Sequence, residues 1–294
     1  MTMDVLLLVL LGLGVGCIGT LVGVGGGFIL IPVLTLAYPT AEARTIVAVS
    51  FFVVMANSLS GTLGYMRLAR RGQARIAYGQ GTIYALATLP GAVGGSLLKD
   101  HLPRSTFEII LGSVLIIGSA TLFVLGGREG LKHRADRRRA RTAGLETSSP
   151  TPANGSGLST LDLHVPPARP RSVLIGTLIS IVVGFAASVV GIGGGIIHVP
   201  AMVFLLDFPV HVATATSQFI LAGTSIAGST TNILTGDLQG IWGQTVALAL
   251  GAVVGAQVGA RLSAKAPPTL IIRALAVVIG LVAVRIVIKA VSAA

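Results

Sequence analysis

The sequence predicts an all-α polytopic membrane protein built from two homologous halves, and three observations carry that reading. Only 11% of the 294 residues are charged and 53% are hydrophobic, with a mean hydropathy of +0.88. A soluble domain carries roughly 25% charged residues, because its surface must face water. Stretches such as Ile109–Leu125 and, apart from Arg273, Leu270–Val284 are apolar around the whole helix, as a helix solvated by lipid must be. Finally, the chain repeats itself at spacings of 160 to 168 residues.

Hydrophobic segments run over 5–38, 45–66, 77–98 and 105–126, then over 172–207, 211–235, 241–262 and 270–290. One span needs ~20 apolar residues, so the first segment of each half is too long for a single crossing. A glycine cluster interrupts each of these two, which sets the expected total at about 8–10 membrane helices. The division is then 1–126 for the first transmembrane repeat, 127–171 for a linker and 172–294 for the second repeat. The linker begins with a basic run, Arg128 to Arg141, and continues in a Ser/Thr/Pro/Gly-rich stretch. Such a stretch buries too little apolar surface to order itself.

The repeat is legible residue by residue. Residues 19–32 read GTLVGVGGGFILIP and residues 187–200 read ASVVGIGGGIIHVP, with Pro32 and Pro200 closing each block. Downstream, Ser50 falls opposite Ser217, Asn57–Gly61 opposite Thr224–Gly228, and Gly91–Gly95 opposite Gly251–Gly255. Matches in one order at offsets of 160 to 168 residues are an internal duplication.

The formal charge of +11 is concentrated in loops, with Arg67, Arg70, Arg71 and Arg75 after the second segment and the basic run in the linker. Basic loops between apolar spans mark a cytoplasmic face touching anionic membrane lipid, so nucleic acid is not an expected partner. Both basic regions are expected on one side. In the second half the bias shifts to Arg261, Lys265 and Arg273, which predicts inverted repeats whose broken segments re-enter or cross twice. Cys17 is the only cysteine, so no intrachain disulfide forms. Met1–Asp4 lacks the basic start of a signal peptide, and the first segment is expected to be retained.

Four glycines in five residues, at Gly23–Gly27 and again at Gly191–Gly195, oppose a helix, because each costs about 1 kcal/mol against alanine. Each segment is therefore expected to break there and restart as a half-helix at Phe28 or Ile196. Open backbone inside a bilayer is tolerated only where it is covered by protein or lines a cavity. A restarted helix offers unpaired N–H groups and about half a positive charge. Two such ends suit a small anion without a buried Lys or Arg, and broken helices at matching positions point to a transporter's binding site. Gly25, Gly26, Gly27, Gly193, Gly194 and Gly195 are the backbone candidates. The other small-xxx-small pairs, Gly12/Gly16, Gly91/Gly95 and Gly251/Gly255/Gly259, read as helix packing.

Uncharged polar residues cluster in the second segment of each half, and Ser50, Asn57, Ser58, Ser217, Gln218, Thr224 and Ser225 join the candidate site. Interhelical hydrogen bonding is the competing role for each. His198, opposite Leu30, either protonates to assist anion binding or packs as a satisfied core histidine. The ten acidic residues sit in loops or near segment ends, which disfavours a carboxylate-based proton pump. Gly14-Val-Gly-Cys-Ile-Gly19 matches a dinucleotide fingerprint without the strand that motif needs. Neither glycine cluster leads into Gly-Lys-Ser/Thr, so no nucleotide cofactor, no metal and no catalytic residue are expected.

The doubled GxGGGxxxxP blocks, Gly23–Pro32 and Gly191–Pro200, with Ala215–Ser217 and the late Gly-Ala-x-x-Gly pattern, resemble the TauE/SafE group of sulfite exporters and related anion transporters. The resemblance covers nearly the whole chain outside 127–171. It implies a multi-pass protein of a bacterial inner membrane that exports a small inorganic or organic sulfur anion, sulfite or an organosulfonate, with homo-oligomerisation open. Two positions depart from the family pattern: Val49-Ser50 replaces the Thr-Ser of the first repeat, and His198 replaces an aliphatic residue. A passive anion channel and a non-transporting membrane assembly or signalling component are the alternatives.

Overall fold

The structure, a computed structural model, describes residues 4–98, 103, 106–120, 123, 164–167, 170–263, 276, 280 and 284. Most of the 127–171 linker and of the last hydrophobic segment lies outside the described residues. The described elements are helical: α1 (Val5–Val22), α2 (Gly27–Ala37), α3 (Ala43–Arg70), α4 (Tyr78–Leu98), α5 (Thr106–Ala120), α6 (Pro170–Val190), α7 (Gly195–Leu205), α8 (Val210–Leu234) and α9 (Trp242–Ser263). Five of them, α1, α3, α4, α6 and α9, are long and apolar enough to cross a membrane.

Both first segments break where the glycines stand. α1 stops at Val22 with Gly23 as its C-cap, and α2 restarts at Gly27. α6 stops at Val190 and α7 restarts at Gly195. The restart comes one residue earlier than the side chains suggest, at the last glycine of each cluster, whose φ is not in the left-handed region that Gly26 and Gly194 occupy. Leu, Val and Ile occupy the outward faces of α1, α6 and α9, where Leu6, Leu10, Val182, Leu250 and Val254 are exposed. Apolar exposure on that scale fits lipid as the solvent.

Packing directions follow from which residues touch. A Cβ on Gly12 or Gly16 of α1 would strike the backbone of Leu248 or Ala252 on α9, and Gly251 and Gly255 press on the carbonyls of Val9 and Leu13. Residue numbers rise together, so α1 and α9 run parallel with backbones nearly touching. In the same way Gly91 and Gly95 of α4 press on Ile181 and Phe185 of α6, while Gly184 presses on Thr88. The first helix of each half thus packs on the fourth helix of the other.

At the centre α3 crosses α8. Phe51 meets Gly228, Ser58 meets Ser225, and Gly61 lies beside Gln218. Here one number rises as the other falls, so these sequence-matched helices run antiparallel. That is the relation an inverted pair of halves produces.

The directions also fix the hairpins. Gly27 at the start of α2 faces Val54, while Ile31 one turn later shares Gly191 with Val47, so α2 runs back against α3. The α1–α2 unit therefore dips in and returns to the end it came from. At one end of the molecule lie Arg67, Arg70, Arg71, Arg75, Arg171 and Arg261 with Asp207; at the other lie Asp4, Glu42 and Asp237 with Arg44.

Candidate functional site

The two glycine breaks meet. A Cβ on Gly27 would lie 3.0 Å from the carbonyl oxygen of Ile192 and 3.1 Å from that of Gly191, and one on Gly195 would lie 2.7 Å from Val24 Cα. Val24 and Ile192 occupy the same place in their repeats, so the contact is reciprocal. Gly25 and Gly193 both face the side chains of Val54 and Leu221, a matched pair on α3 and α8 that covers the breaks. All of these residues are buried.

Inside each break the tip is folded back by its own hydrogen bonds. The N–H groups of Val24 and Gly25 donate to the Gly19 carbonyl at 2.8 and 3.1 Å, and that of Ile192 donates to the Ala187 carbonyl at 3.0 Å. The chain then turns into α2 and α7, whose first N–H groups have no preceding helical turn to bond. The positive ends of these half-helices converge on the centre from opposite sides. The buried polar side chains of the surrounding helices include the amides and hydroxyls of Thr20, Ser50, Asn57, Ser58, Ser217, Gln218, Thr224 and Ser225, with the imidazole of His198 on α7.

Not every candidate glycine faces the partner break. A Cβ on Gly26 would lie 2.7 Å from Val15 Cγ1, and one on Gly194 would lie 3.0 Å from Val183 Cγ1. These two look back at the first helix of their own half. Their φ angles of 82° and 90° are left-handed, so they shape the turn while Gly27 and Gly195 make the approach.

Among the side chains, Ser50 donates to the Gly191 carbonyl at 2.8 Å and ties α3 to the opposite break. Ser58 and Ser225 stand Oγ to Oγ at 3.1 Å where α3 crosses α8. Gln218 donates through Nε2 to the Gly19 carbonyl at 3.2 Å, and Asn57 accepts from Thr20 at 3.1 Å. Thr224 pairs with Thr88 of α4 at 2.7 Å. Ser217 is fully buried and its hydroxyl has no hydrogen-bond partner.

His198 lies on α7 with Nδ1 3.2 Å from the Gly194 carbonyl and Nε2 3.2 Å from Ser180 Oγ. Both ring nitrogens are thus engaged within the second half, behind the break.

Sequence reasoning missed Thr20, Val54 and Leu221. Thr20 and Ser188 stand opposite each other in the repeated blocks, so the alignment that found Ser50 and Ser217 also contained them. Val54 and Leu221 carried no signal, since an aliphatic residue in an apolar helix is unremarked until the fold places it over a glycine. Glu108 was read as lying near a segment end, and it is buried at the start of α5. Among the described residues no cluster of His, Cys, Asp or Glu is placed to hold a metal ion.

The sequence profile of the sulfite exporter TauE/SafE family matches residues 8–286. The chain is 28% identical over 286 residues to the probable membrane transporter protein YunE of Bacillus subtilis, covering 95% of this chain and 96% of that one. It is 25% identical over 227 residues to the probable membrane transporter protein MJ0441 of Methanocaldococcus jannaschii, covering 76% and 70%. No solved structure matches it. With doubled glycine breaks meeting at the centre of a multi-pass helical protein and a profile spanning nearly its whole length, the chain belongs to the sulfite exporter TauE/SafE family.

Proposed function

We propose that this membrane transporter exports a small sulfur-containing anion, sulfite or an organosulfonate, and binds it where the two glycine breaks meet. The observation that carries the reading is the convergence of the α2 and α7 N-termini within a shell of amides and hydroxyls. Backbone N–H groups and half-helix dipoles attract an anion, and the absence of a buried cation among the named shell residues lets it leave again. Residues 1–126 and 172–294 act as two inverted repeats around this point. The flanking candidates, Ser50, Ser58, Ser217, Thr224 and Ser225, offer hydroxyl donors along the same helices.

The arginine-rich end faces the cytoplasm under the positive-inside rule, and the end holding Asp4, Glu42 and Asp237 faces outward. A membrane potential is worth about 2.3 kcal/mol per charge per 100 mV. With the interior negative, expelling a monoanion runs downhill and needs no coupled ion. The test uses purified protein in liposomes with a potential imposed and no pH gradient. Labelled sulfite should leave faster when the arginine-facing side is negative, and should show counterflow against unlabelled sulfite. Flux without counterflow identifies a channel. Neither flux nor counterflow leaves only an assembly role, and flux that stops whenever a pH gradient is collapsed rules out uniport.

A further inference from the structure

The halves differ at one place where the repeat would make them alike. On the arginine side of the centre, Gly61 of α3 faces Thr20 and Gln218: a Cβ there would lie 3.0 Å from Thr20 Oγ1 and 3.5 Å from Gln218 Cδ. The matched glycine, Gly228, is instead covered by the ring of Phe51, to which an added Cβ would come within 2.5 to 2.9 Å. Phe51 is the repeat counterpart of Gln218. An aromatic ring fills one side, and an amide occupies the other.

The amide side is incompletely paired. Gln218 spends Nε2 on the Gly19 carbonyl, which fixes its orientation, since the opposite flip would set two oxygens against each other. Its Oε1 is then left without a partner, and so is Asn57 Nδ2, while both residues are fully buried. Asn57 lies one helical turn before Gly61 and shares its face, with Tyr65 one turn beyond it donating to the Thr20 carbonyl at 2.8 Å. One orphan acceptor and one orphan donor thus flank the same glycine. Buried polar groups in native proteins are paired, and an occupant that both donates and accepts would complete this pair.

We propose that Gln218 and Asn57 form a recognition site for an oxyanion that keeps one O–H, and so select the protonation state of the transported species. The hydroxyl of the anion donates to Gln218 Oε1, and Asn57 donates to one of its charged oxygens. A sulfonate, whose oxygens are all acceptors, sets oxygen against oxygen at Gln218 and is disfavoured, a repulsive element that discriminates between anions of equal charge. An anion that carries its own proton crosses with one net charge and needs no protein carboxylate to deliver that proton. This inference rests on the sulfur-anion reading above.

The test is competition in proteoliposomes holding the full chain, at one fixed pH where hydrogensulfite is the main sulfite species. Methanesulfonate is the probe without an O–H. In the wild type, methanesulfonate should inhibit labelled sulfite flux at least about tenfold more weakly than unlabelled hydrogensulfite does, the range of one hydrogen bond to a charged group. Gln218→Met, similar in size but without the acceptor, should bring the two within about twofold by weakening hydrogensulfite alone. Asn57→Leu should weaken both. Equal inhibition in the wild type overturns the proposal, as does a preference that survives Gln218→Met. Should that variant fail to fold, the wild-type comparison decides alone. Absence of any sulfite flux sinks the sulfur-anion reading, whereas flux of both anions without discrimination sinks only this site.

Discussion

Within each break the glycines divide their tasks, and the division predicts different phenotypes for neighbouring substitutions. Gly26 and Gly194 hold left-handed backbone against their own first helices, with φ of 82° and 90°. Alanine at either should cost about 1–3 kcal/mol of stability through that backbone, read as a lower melting temperature in detergent. Gly27 and Gly195 are absent from the left-handed set, and their added Cβ would press on the other half. Gly195→Val should therefore abolish sulfite flux in protein that still inserts. Normal flux from inserted Gly195→Val would separate the breaks from the transport path. His198→Leu removes both ring contacts, to Gly194 and Ser180. It should retain flux and lose about 1–2 kcal/mol of stability, as expected for a residue behind the break.

Among the elements, α1 and α9 show that one residue type does two things in helices that pack together. Nothing lies within 4 Å of a Cβ built on Gly14, whereas Gly255 would drive one to 2.8 Å from Cys17 N and closer still to the Leu13 carbonyl. Gly14→Ala should leave flux unchanged and raise stability by up to about 1 kcal/mol, the helix-propensity difference. Gly255→Val should force α1 and α9 apart, lowering the yield of monodisperse protein, with overpacking of this kind costing about 1–3 kcal/mol. Two of the three glycines that imitate a dinucleotide motif, Gly16 and Gly19, are thus explained by backbone contact. Gly16 meets α9 and Gly19 meets Gly26.

For the whole molecule, the way the chain returns to the arginine end limits what can be removed. Val165 packs against the buried cluster that includes Ala77, Tyr84 and Met202, and Gln80 donates to the Pro166 carbonyl at 3.3 Å. Deleting 147–162 should spare transport, since it stops short of these contacts; extending the deletion through Pro166 should reduce the amount of folded protein. Sidedness is open to direct measurement. In a Cys17→Ser background, Arg71→Cys and Gln239→Cys should react with an impermeant thiol reagent from opposite faces of the membrane, Arg71→Cys from the cytoplasmic one. Labelling of both from one face would contradict the antiparallel crossing of α3 and α8.

Composition and pattern alone determined that the chain is a multi-pass helical membrane protein, because lipid demands apolar residues on every outward face and that demand is written continuously along the sequence. They also determined the two breaks, since four glycines in five residues leave the backbone no reason to stay helical. What only tertiary structure decided is which side of each glycine meets what. Gly26 and Gly27 are neighbours of one type, and only the turn between α1 and α2 sends one toward Val15 and the other toward Ile192. The same holds for Gln218, whose meaning depends on lying beside Gly61 and Gly19 from the other half of the chain. Contacts between residues some 160 to 200 positions apart arise from how α3 crosses α8, and local sequence carries no term for that geometry.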